Sequence, residues 1–379
     1  MKKIAIIGAS YLQLPLIEKA KSMGIETHVF AWAANDVGER EADFFYPISI
    51  IEKEAILEQC RKIRVDGVCS IASDLASITV NYVADKLGLV CNSQECVQLS
   101  TNKHNMREAF KNNGDPSPKS ICIETVEELE NMVLELPLIV KPLDRSGSRG
   151  ITKIEEMEQL FCAVETAKEQ GFEKKVLIEE FVPGNEYSVE CISWKGKHKF
   201  LAVTKKYTTG NPNFIETGHM EPAGISSEME EKIKEVVFHA LDSLHIEYGA
   251  SHSEVKIDND GRIKIIEIGG RMGGDCIGSS LVYLSTGFDF VKAVIEISLG
   301  IEPDLSTEIE CRRCAVIRFV FDEKDIAVLD MIKLRHPEFI VEESIKEIGT
   351  HKVIDSSTRF GYYILCADSH DDLRQYLPK

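Results

Sequence analysis

The chain has 379 residues, 44% of them hydrophobic and 28% charged, with a formal net charge of −18. That composition excludes a disordered or fibrous protein, and the length suits two or three packed subdomains better than one core. The acidic balance argues against a nucleic-acid partner, which needs clustered Lys and Arg, yet is compatible with a locally basic nucleotide pocket. No window approaches the roughly 18 apolar residues of a membrane span, so no membrane partner is expected. The apolar run after Met1-Lys2-Lys3 is five residues long and reads as a buried first strand, not a signal peptide. Most of the eleven cysteines lie inside apolar runs, as in Val68-Cys69-Ser70, which suits reduced thiols in a cytoplasmic protein. Cys311 and Cys314 form a lone CxxC with no second pair at zinc spacing, and read as structural.

In chain order, the first hundred residues alternate strand and helix. Strand patterns fall at 4–7, 27–30, 67–71 and 89–91, and amphipathic stretches at 14–23, 52–62 and 75–87. Such alternation implies a parallel sheet with crossover helices. Its first turn carries Gly8 but not the other glycines of GxGxxG, which favours a structural turn over a dinucleotide site. A helix over 101–113 stops at Gly114, ahead of Pro116 and Pro118. A strand (119–123), a helix (126–134), a strand (138–141), a Gly/Ser loop, a further strand and helix up to Gly171, and a strand (175–181) predict a small α+β lid with its own sheet. Residues 186–206 are mainly β in pattern. Over 227–245, Met229, Ile233, Val236, Ala240 and Leu244 share one helix face. Strands at 249–257 and 262–268 flank Asp258-Asn259-Asp260-Gly261, a hairpin signal. Runs at 315–320, 326–333 and 362–367 read as a small α/β lobe.

The Walker pattern GxxxxGK[ST] and the protein-kinase motifs are absent, so nucleotide chemistry requires another apparatus. In Leu138-Ile139-Val140-Lys141, followed by Ser146, Gly147, Ser148 and Gly150, a buried strand ends in a lysine and a loop of small residues. Small residues let backbone N–H groups close on phosphate oxygens while the lysine offsets their charge. Read alone, the loop is equally a solvated turn after a core strand. Glu179-Glu180-Phe181-Val182-Pro183-Gly184-Asn185-Glu186 has the make-up of an interlobe hinge, whose backbone can read adenine and whose last carboxylate can accept from ribose hydroxyls. Glu254 and Glu267 stand nearly equidistant from the hairpin turn. Two carboxylates facing one another repel unless a positive group lies between them, and hard oxygen ligands suit Mg²⁺.

The set Lys103, Lys141 with its Gly/Ser loop, the Glu179–Glu186 hinge, and Glu254 with Glu267-x-x-x-Arg271 resembles the ATP-grasp superfamily of carboxylate–amine ligases. The resemblance covers nearly the whole chain and implies the ATP-grasp fold, α/β and α+β in class. It would comprise an N-terminal Rossmann-like parallel-sheet domain (1–100), an ATP-grasp domain (101–309) with a mobile lid (about 119–183) and a central antiparallel sheet, and a C-terminal lobe (310–379). It further implies ATP bound by Lys103 and Lys141, by Ser146, Gly147 and Ser148, by Glu179 and the backbone of Glu180 and Val182 at adenine, and by Glu186 at ribose. Glu254 and Glu267 would bind Mg²⁺, or Mn²⁺ in its place, and Arg271 would stabilise the transferring phosphoryl group. Where many members have Asn, two residues after the second metal glutamate, this chain has Gly269, which leaves open whether one metal or two is bound. Phe214 to Pro222 and Glu267 to Asp275 resemble L-amino-acid ligases, which makes Glu216, His219, Arg271, Gly273 and Asp275 candidates for substrate contact. His219 reads equally as an exposed loop histidine, and Asp275 equally as a helix cap. The implied reaction joins a small carboxylate to an amine through an acyl phosphate, in a protein that could be a homodimer. An ATP-grasp carboxylase or purine-pathway enzyme, or a catalytically silent nucleotide-binding regulator, remain the alternatives.

Overall fold

Burial of both faces of the first strand sets the N-terminal architecture. In this computed structural model, which describes residues 1–129, 132–144, 149–211, 214–306 and 309–378, β1 (Lys3–Ile7), β2 (Glu26–Phe30), β3 (Phe44–Tyr46) and β4 (Gly67–Cys69) form a parallel sheet in the order β3-β2-β1-β4. Helices α1 (Leu14–Ser22), α2 (Val37–Glu41), α3 (Lys53–Ile63) and α4 (Asp74–Leu87) connect these strands or follow them. Ile4 and Ile6 pack with Leu16 and Ile17 on one side, whereas Ala5 and Ile7 pack with Ile56 and Val83 on the other. Two covered faces are why the strand reads as a continuous apolar run.

The expected strand at 89–91 is not formed. Gly88 ends α4 in a left-handed conformation (φ +67°), and the chain leaves the sheet towards Asn92. There the Asn92 amide donates to the Tyr248 carbonyl at 2.8 Å and accepts from the Glu247 and Tyr248 N–H groups at 2.9 Å. The fourth strand is instead the short aromatic β3, latched by Asp43, which accepts from the Thr27 N–H and hydroxyl at 2.9 Å each. The helix expected at 101–113 is divided. α5 (Gln94–Thr101) ends where Asn102 caps α6 (Lys103–Asn113), accepting from the His104 and Asn105 N–H groups at 3.1 Å.

The lid comprises β5 (Ser120–Ile123), β6 (Leu138–Pro142), β7 (Thr152–Ile154), α7 (Leu160–Gln170) and β8 (Val176–Glu180), its antiparallel sheet ordered β5-β8-β6-β7. Leu160, Val164 and Ala167 pack on Val140, Ile154 and Ile178, so the lid has a core of its own. The helix expected at 126–134 is a short 3-10 turn, Val126–Leu129, and residues 130–131 lie outside the described ones.

The remaining strands make one antiparallel sheet. β9 (Asn185–Trp194), β10 (Lys197–Thr208), β11 (Glu216–Glu221), β12 (Tyr248–Ile257), β13 (Ile263–Gly269), β14 (Cys314–Phe319), β15 (Ile340–Ile345) and β16 (Gly361–Ala367) are ordered β13-β12-β9-β10-β11-β14-β16-β15. α8 (Ser227–Ser243) buries Ile233, Val237, Ala240 and Leu241 against Val189, Val203 and Val255, its buried face running through Val237 while Val236 is only partly covered. α9 (Val282–Thr286), α10 (Phe290–Ser298), α11 (Glu323–Arg335) and α12 (His370–Leu373) complete the fold. The strands of segment 310–379, expected as a lobe, extend this same sheet. Cys311 and Cys314 are free thiols. Among the described residues no helix is long and apolar enough to cross a membrane.

Candidate active site

Between the lid and the central sheet lies a cavity of about 200 Å³. Lys103, Lys141, Glu179, Glu180, Val182, Glu186, Glu216, Glu254, Glu267 and Arg271 all line it, although they come from α6, the lid, the hinge, β11, the hairpin and the segment after it. His219, Gly273 and Asp275 are not among its lining residues. Ser146, Gly147 and Ser148 lie outside the described residues.

One wall is rich in cations. Lys103 lines the cavity, and Arg107, one helical turn on along α6, is buried beneath it. The Lys141 ammonium meets Glu179 at 2.6 Å, and Arg107 holds the same carboxylate through Nε at 2.8 Å and Nη2 at 3.3 Å. Burial opposes charge on Glu179, but Lys141 and Arg107 overcome it and hold the carboxyl at about 2. Burial pushes the Lys141 ammonium below its usual range; the Glu179 carboxylate works against this, but the neighbouring charge of Arg107 adds to it. Glu179, expected at adenine, is therefore committed as the anion that seats two cations. The Glu180 N–H, also expected at adenine, donates to the Lys119 carbonyl at 3.0 Å, and the Glu180 carboxylate pairs with Lys264 at 2.8 Å. The Val182 carbonyl accepts from Lys256 at 3.4 Å. The bend beyond it requires Gly184, at φ +108°, since a side chain there would collide with the Ile257 carbonyl.

The facing wall is rich in carboxylates. Glu254 and Glu267 are direct cross-strand partners, an alignment that a bulge permits: Val255 pairs with Ile265 but Glu254 with Glu267, leaving Ile266 as the extra residue. The freed Ile266 carbonyl accepts from Arg107 Nη2 at 2.5 Å. Glu267 meets Lys103 at 2.8 Å. Glu254 meets Lys206 at 2.7 Å, and Lys206 also faces Glu186 at 2.8 Å and Glu216 at 3.9 Å. Burial disfavours the Lys206 ammonium, but three carboxylates drive its pKa well above the ordinary value. Burial also opposes charge on Glu254, which Lys206 and His252 nevertheless hold well below the usual carboxylate range. Among the described residues no three acidic, His or Cys side chains form a complete metal cage. Two facing carboxylates do fit Mg²⁺, which is ordinarily held by one or two carboxylates with phosphates and water supplying the rest.

A second set of charges, partly in the cavity wall at His252 and Glu216 and partly behind it, supports the first. His252 Nδ1 contacts Glu190, which is fully buried and accepts the Gly273 N–H at 3.0 Å. Burial works against the imidazolium, but Glu190 raises His252 to about 9. Ser356 donates to Glu216 at 2.9 Å. Asp275 receives Arg359 bidentately, at 2.6 and 2.9 Å, and His219 Nε2 at 3.4 Å. Asp275 thus serves as an ion-pair partner and not as a helix cap. His219 lies on β11 and is 1% exposed, so it is no exposed loop histidine.

Sequence reasoning passed over Arg107, Glu190, Lys206, His252 and Arg359. Arg107 had a signal, its four-residue spacing from Lys103. Lys206 shares the period-two face of Ala202 and Thr204 on β10, both buried, whereas its neighbour Lys205 falls on the face of Val203. His252 stands two residues before Glu254 on the same strand face. Arg359 lies in irregular chain, where no period marks a face.

Residues 134–279 match the ATP-grasp domain. The chain is 23% identical to carnosine synthase 1 of Homo sapiens over 343 residues, 82% of this chain and 41% of that protein. It is 27% identical to alanine–anticapsin ligase of Bacillus subtilis over 269 residues, 62% of this chain and 56% of that one. The chain thus spans about half the length of the curated relatives it matches. The crystal structure of an L-amino acid ligase from Bacillus licheniformis superimposes with a TM-score of 0.86 at 24% identity, covering 99% of this chain and 96% of that one. Site geometry and these likenesses converge: residues 134–279 are an ATP-grasp domain, and the chain has the ATP-grasp fold.

Proposed function

We propose that the protein is an ATP-dependent carboxylate–amine ligase that forms an amide or peptide bond through an acyl phosphate, with an amino acid or other small carboxylate as substrate. The observation that carries this reading is the juxtaposition, in one cavity under a lid, of a cation wall and a pair of facing carboxylates. Lys103 and Lys141 would bind the ATP phosphates, the hinge around Glu180 and Val182 the adenine, and Glu186 the ribose. Ser146, Gly147 and Ser148 would close on the phosphates from the lid. Glu254 and Glu267 would hold Mg²⁺ (or Mn²⁺), which would supply positive charge between the phosphate oxygens and the acidic wall.

The carboxylate of the first substrate attacks the γ-phosphorus, the bond to the β-bridging oxygen breaks, and ADP and an acyl phosphate result. Anion–anion repulsion opposes this step, and Lys141 and Arg271 offset it with charge already fixed in place. A neutral amine then attacks the acyl carbon, phosphate leaves, and the amine gives up a proton as the amide forms. Closure of the lid (119–183) over the rest of the ATP-grasp domain would keep water from the acyl phosphate. Glu216, which lines the cavity, would contact substrate, with His219, Gly273 and the Asp275–Arg359 pair supporting it from behind. A screen of amino-acid pairs for release of ADP and phosphate, with mass spectrometry of the products, tests this. Stoichiometric ADP, phosphate and a condensed product are expected. ATP binding without ADP release from any carboxylate and amine, including labelled bicarbonate as the carboxylate, would leave a nucleotide-binding regulator.

A further inference from the structure

We propose that Asp74, from the N-terminal parallel-sheet domain, is the positioning residue for Arg271, and that residue 269 is glycine because a side chain there would intrude on that pair. The inference rests on the ligase reading for the role of Arg271, and its geometry stands apart from that reading.

In an open parallel sheet, ligands sit beyond the carboxyl ends of the strands where the strand order reverses, here between β1 and β4. That crevice is filled by the chain's own Gln13, 4% exposed. Its amide donates to the Ile71 carbonyl at 2.8 Å and accepts from the Ser10 N–H and hydroxyl at 3.2 and 2.7 Å. The domain reaches the active site by another route. After β4 the chain turns through Ala72, at φ +60°, and the Ala72 N–H donates to the Met272 carbonyl at 3.3 Å, tying the two domains one residue past Arg271. Ser73 then caps α4, and Asp74 is its first residue. That path sets the Asp74 carboxylate on Arg271, Oδ1 at 2.7 Å from Nε and Oδ2 at 3.2 Å from Nη2, while Nη1 donates to the Met272 carbonyl at 3.2 Å.

A guanidinium has five N–H donors in a rigid fork. Three are spent on Asp74 and Met272, which leaves two for the cavity that Asp74 and Arg271 both line. The long arginine side chain is thereby held in one orientation before substrate arrives, the condition under which a charge stabiliser needs no reorganisation during reaction. Gly269 is the third part of the device. A Cβ added there would stand 3.1 Å from Asp74 Oδ1 and 3.2–3.3 Å from Arg271 Nε and Cζ. A longer side chain would compete for the space in which the pair is formed.

The test uses the full chain with ¹⁵N-labelled arginine. The Arg271 Nε–H signal is assigned by its loss in Arg271→Lys, and its exchange with water is measured in the wild type, Asp74→Asn and Gly269→Val, whose apolar side chain adds bulk but no metal ligand. Both variants should exchange this proton at least tenfold faster. With an amino-acid pair that supports ADP release, both should lower kcat roughly 10- to 100-fold, while KM for ATP stays within twofold and the double variant is no worse than the poorer single one. Equal Nε–H exchange in Asp74→Asn, or unchanged kcat, would overturn the assignment. A general weakening from structural damage would instead raise KM for ATP alongside. Should Asp74→Asn fail to fold, Gly269→Val decides alone, since it leaves the Asp74 carboxylate in place and adds no metal ligand. If the wild type releases no ADP with any pair, it is the ligase reading that fails, and proton exchange still decides whether Asp74 orders Arg271.

Discussion

Lys141 and Lys206 are two lysines in the same cavity with opposite surroundings. Lys141 shares a single carboxylate, Glu179, with Arg107, whereas Lys206 has three carboxylates, Glu186, Glu216 and Glu254, around it. Burial therefore wins at Lys141, whose pKa falls, and loses at Lys206, whose pKa rises. The difference identifies roles. On the proposed reading, a lysine short of anions would donate to phosphate oxygens, and a lysine crowded by anions would keep the acidic wall folded until a metal ion is present. The cavity is thus polarised, positive where the proposed triphosphate would lie and negative where the proposed ion would lie, though the protein as a whole carries a net charge of −18.

The largest effect should follow from breaking the positive wall. Lys141→Ala is expected to lower turnover by about two to three orders of magnitude, the scale for loss of one preorganised charge stabiliser, while stability changes little because Arg107 still neutralises Glu179. Steady-state kinetics at saturating ATP check this, and near-normal turnover would remove Lys141 from the site.

The negative wall should respond in stability. Lys206→Met leaves three carboxylates facing each other, and should cost about 3 kcal/mol in urea denaturation without added metal. Mg²⁺ should restore part of that loss. A variant as stable as the wild type in metal-free buffer would mean that Lys206 does not hold the wall together.

A smaller effect sharpens what a cation partner contributes. Glu221, fully buried on β11, is held by two hydroxyls, Thr204 and Ser285, at 2.6 Å each. Burial raises its pKa to about 7 despite those hydrogen bonds. A carboxyl whose folded pKa is raised contributes stability that is complete below its ordinary value near 4.5 and is lost as pH rises through about 7. Glu221→Gln should abolish that loss, so that its stability relative to wild type improves by on the order of 2 kcal/mol between pH 5 and pH 8. A difference independent of pH would show that Glu221 is already ionised in the folded state.

Much of this organisation is legible in the residues, and the limits are physical. The lid strands, the hairpin and the helical face of α8 announce themselves through periodicity, which reports burial along one element. Glu254 and Glu267 could be paired because a tight turn fixes register, although the bulge at Ile266 that completes the alignment leaves no mark in composition. What period and register cannot report is which groups from distant elements meet. Glu179 reads as part of a hinge, and only the convergence of β6 and α6 shows it committed to Lys141 and Arg107. Asp275 reads as a possible cap, yet Arg359, 84 residues on, claims it. The strand expected at 89–91 has the right composition but is drawn off by Asn92, a polar contact that hydrophobic pattern does not register.

The polarity of the cavity is tested most directly by calorimetric titration with a non-hydrolysable ATP analogue, with and without Mg²⁺, in the wild type, Lys141→Ala and the Glu254→Gln/Glu267→Gln double variant. Mg²⁺ should tighten wild-type binding at least tenfold. The double variant, with two negative charges removed, should bind the metal-free analogue at least as well as wild type but gain less than twofold from Mg²⁺, while Lys141→Ala should weaken binding in both conditions and keep the gain. A double variant that retained the full Mg²⁺ enhancement would contradict the account, because the ion would then be held somewhere other than between Glu254 and Glu267.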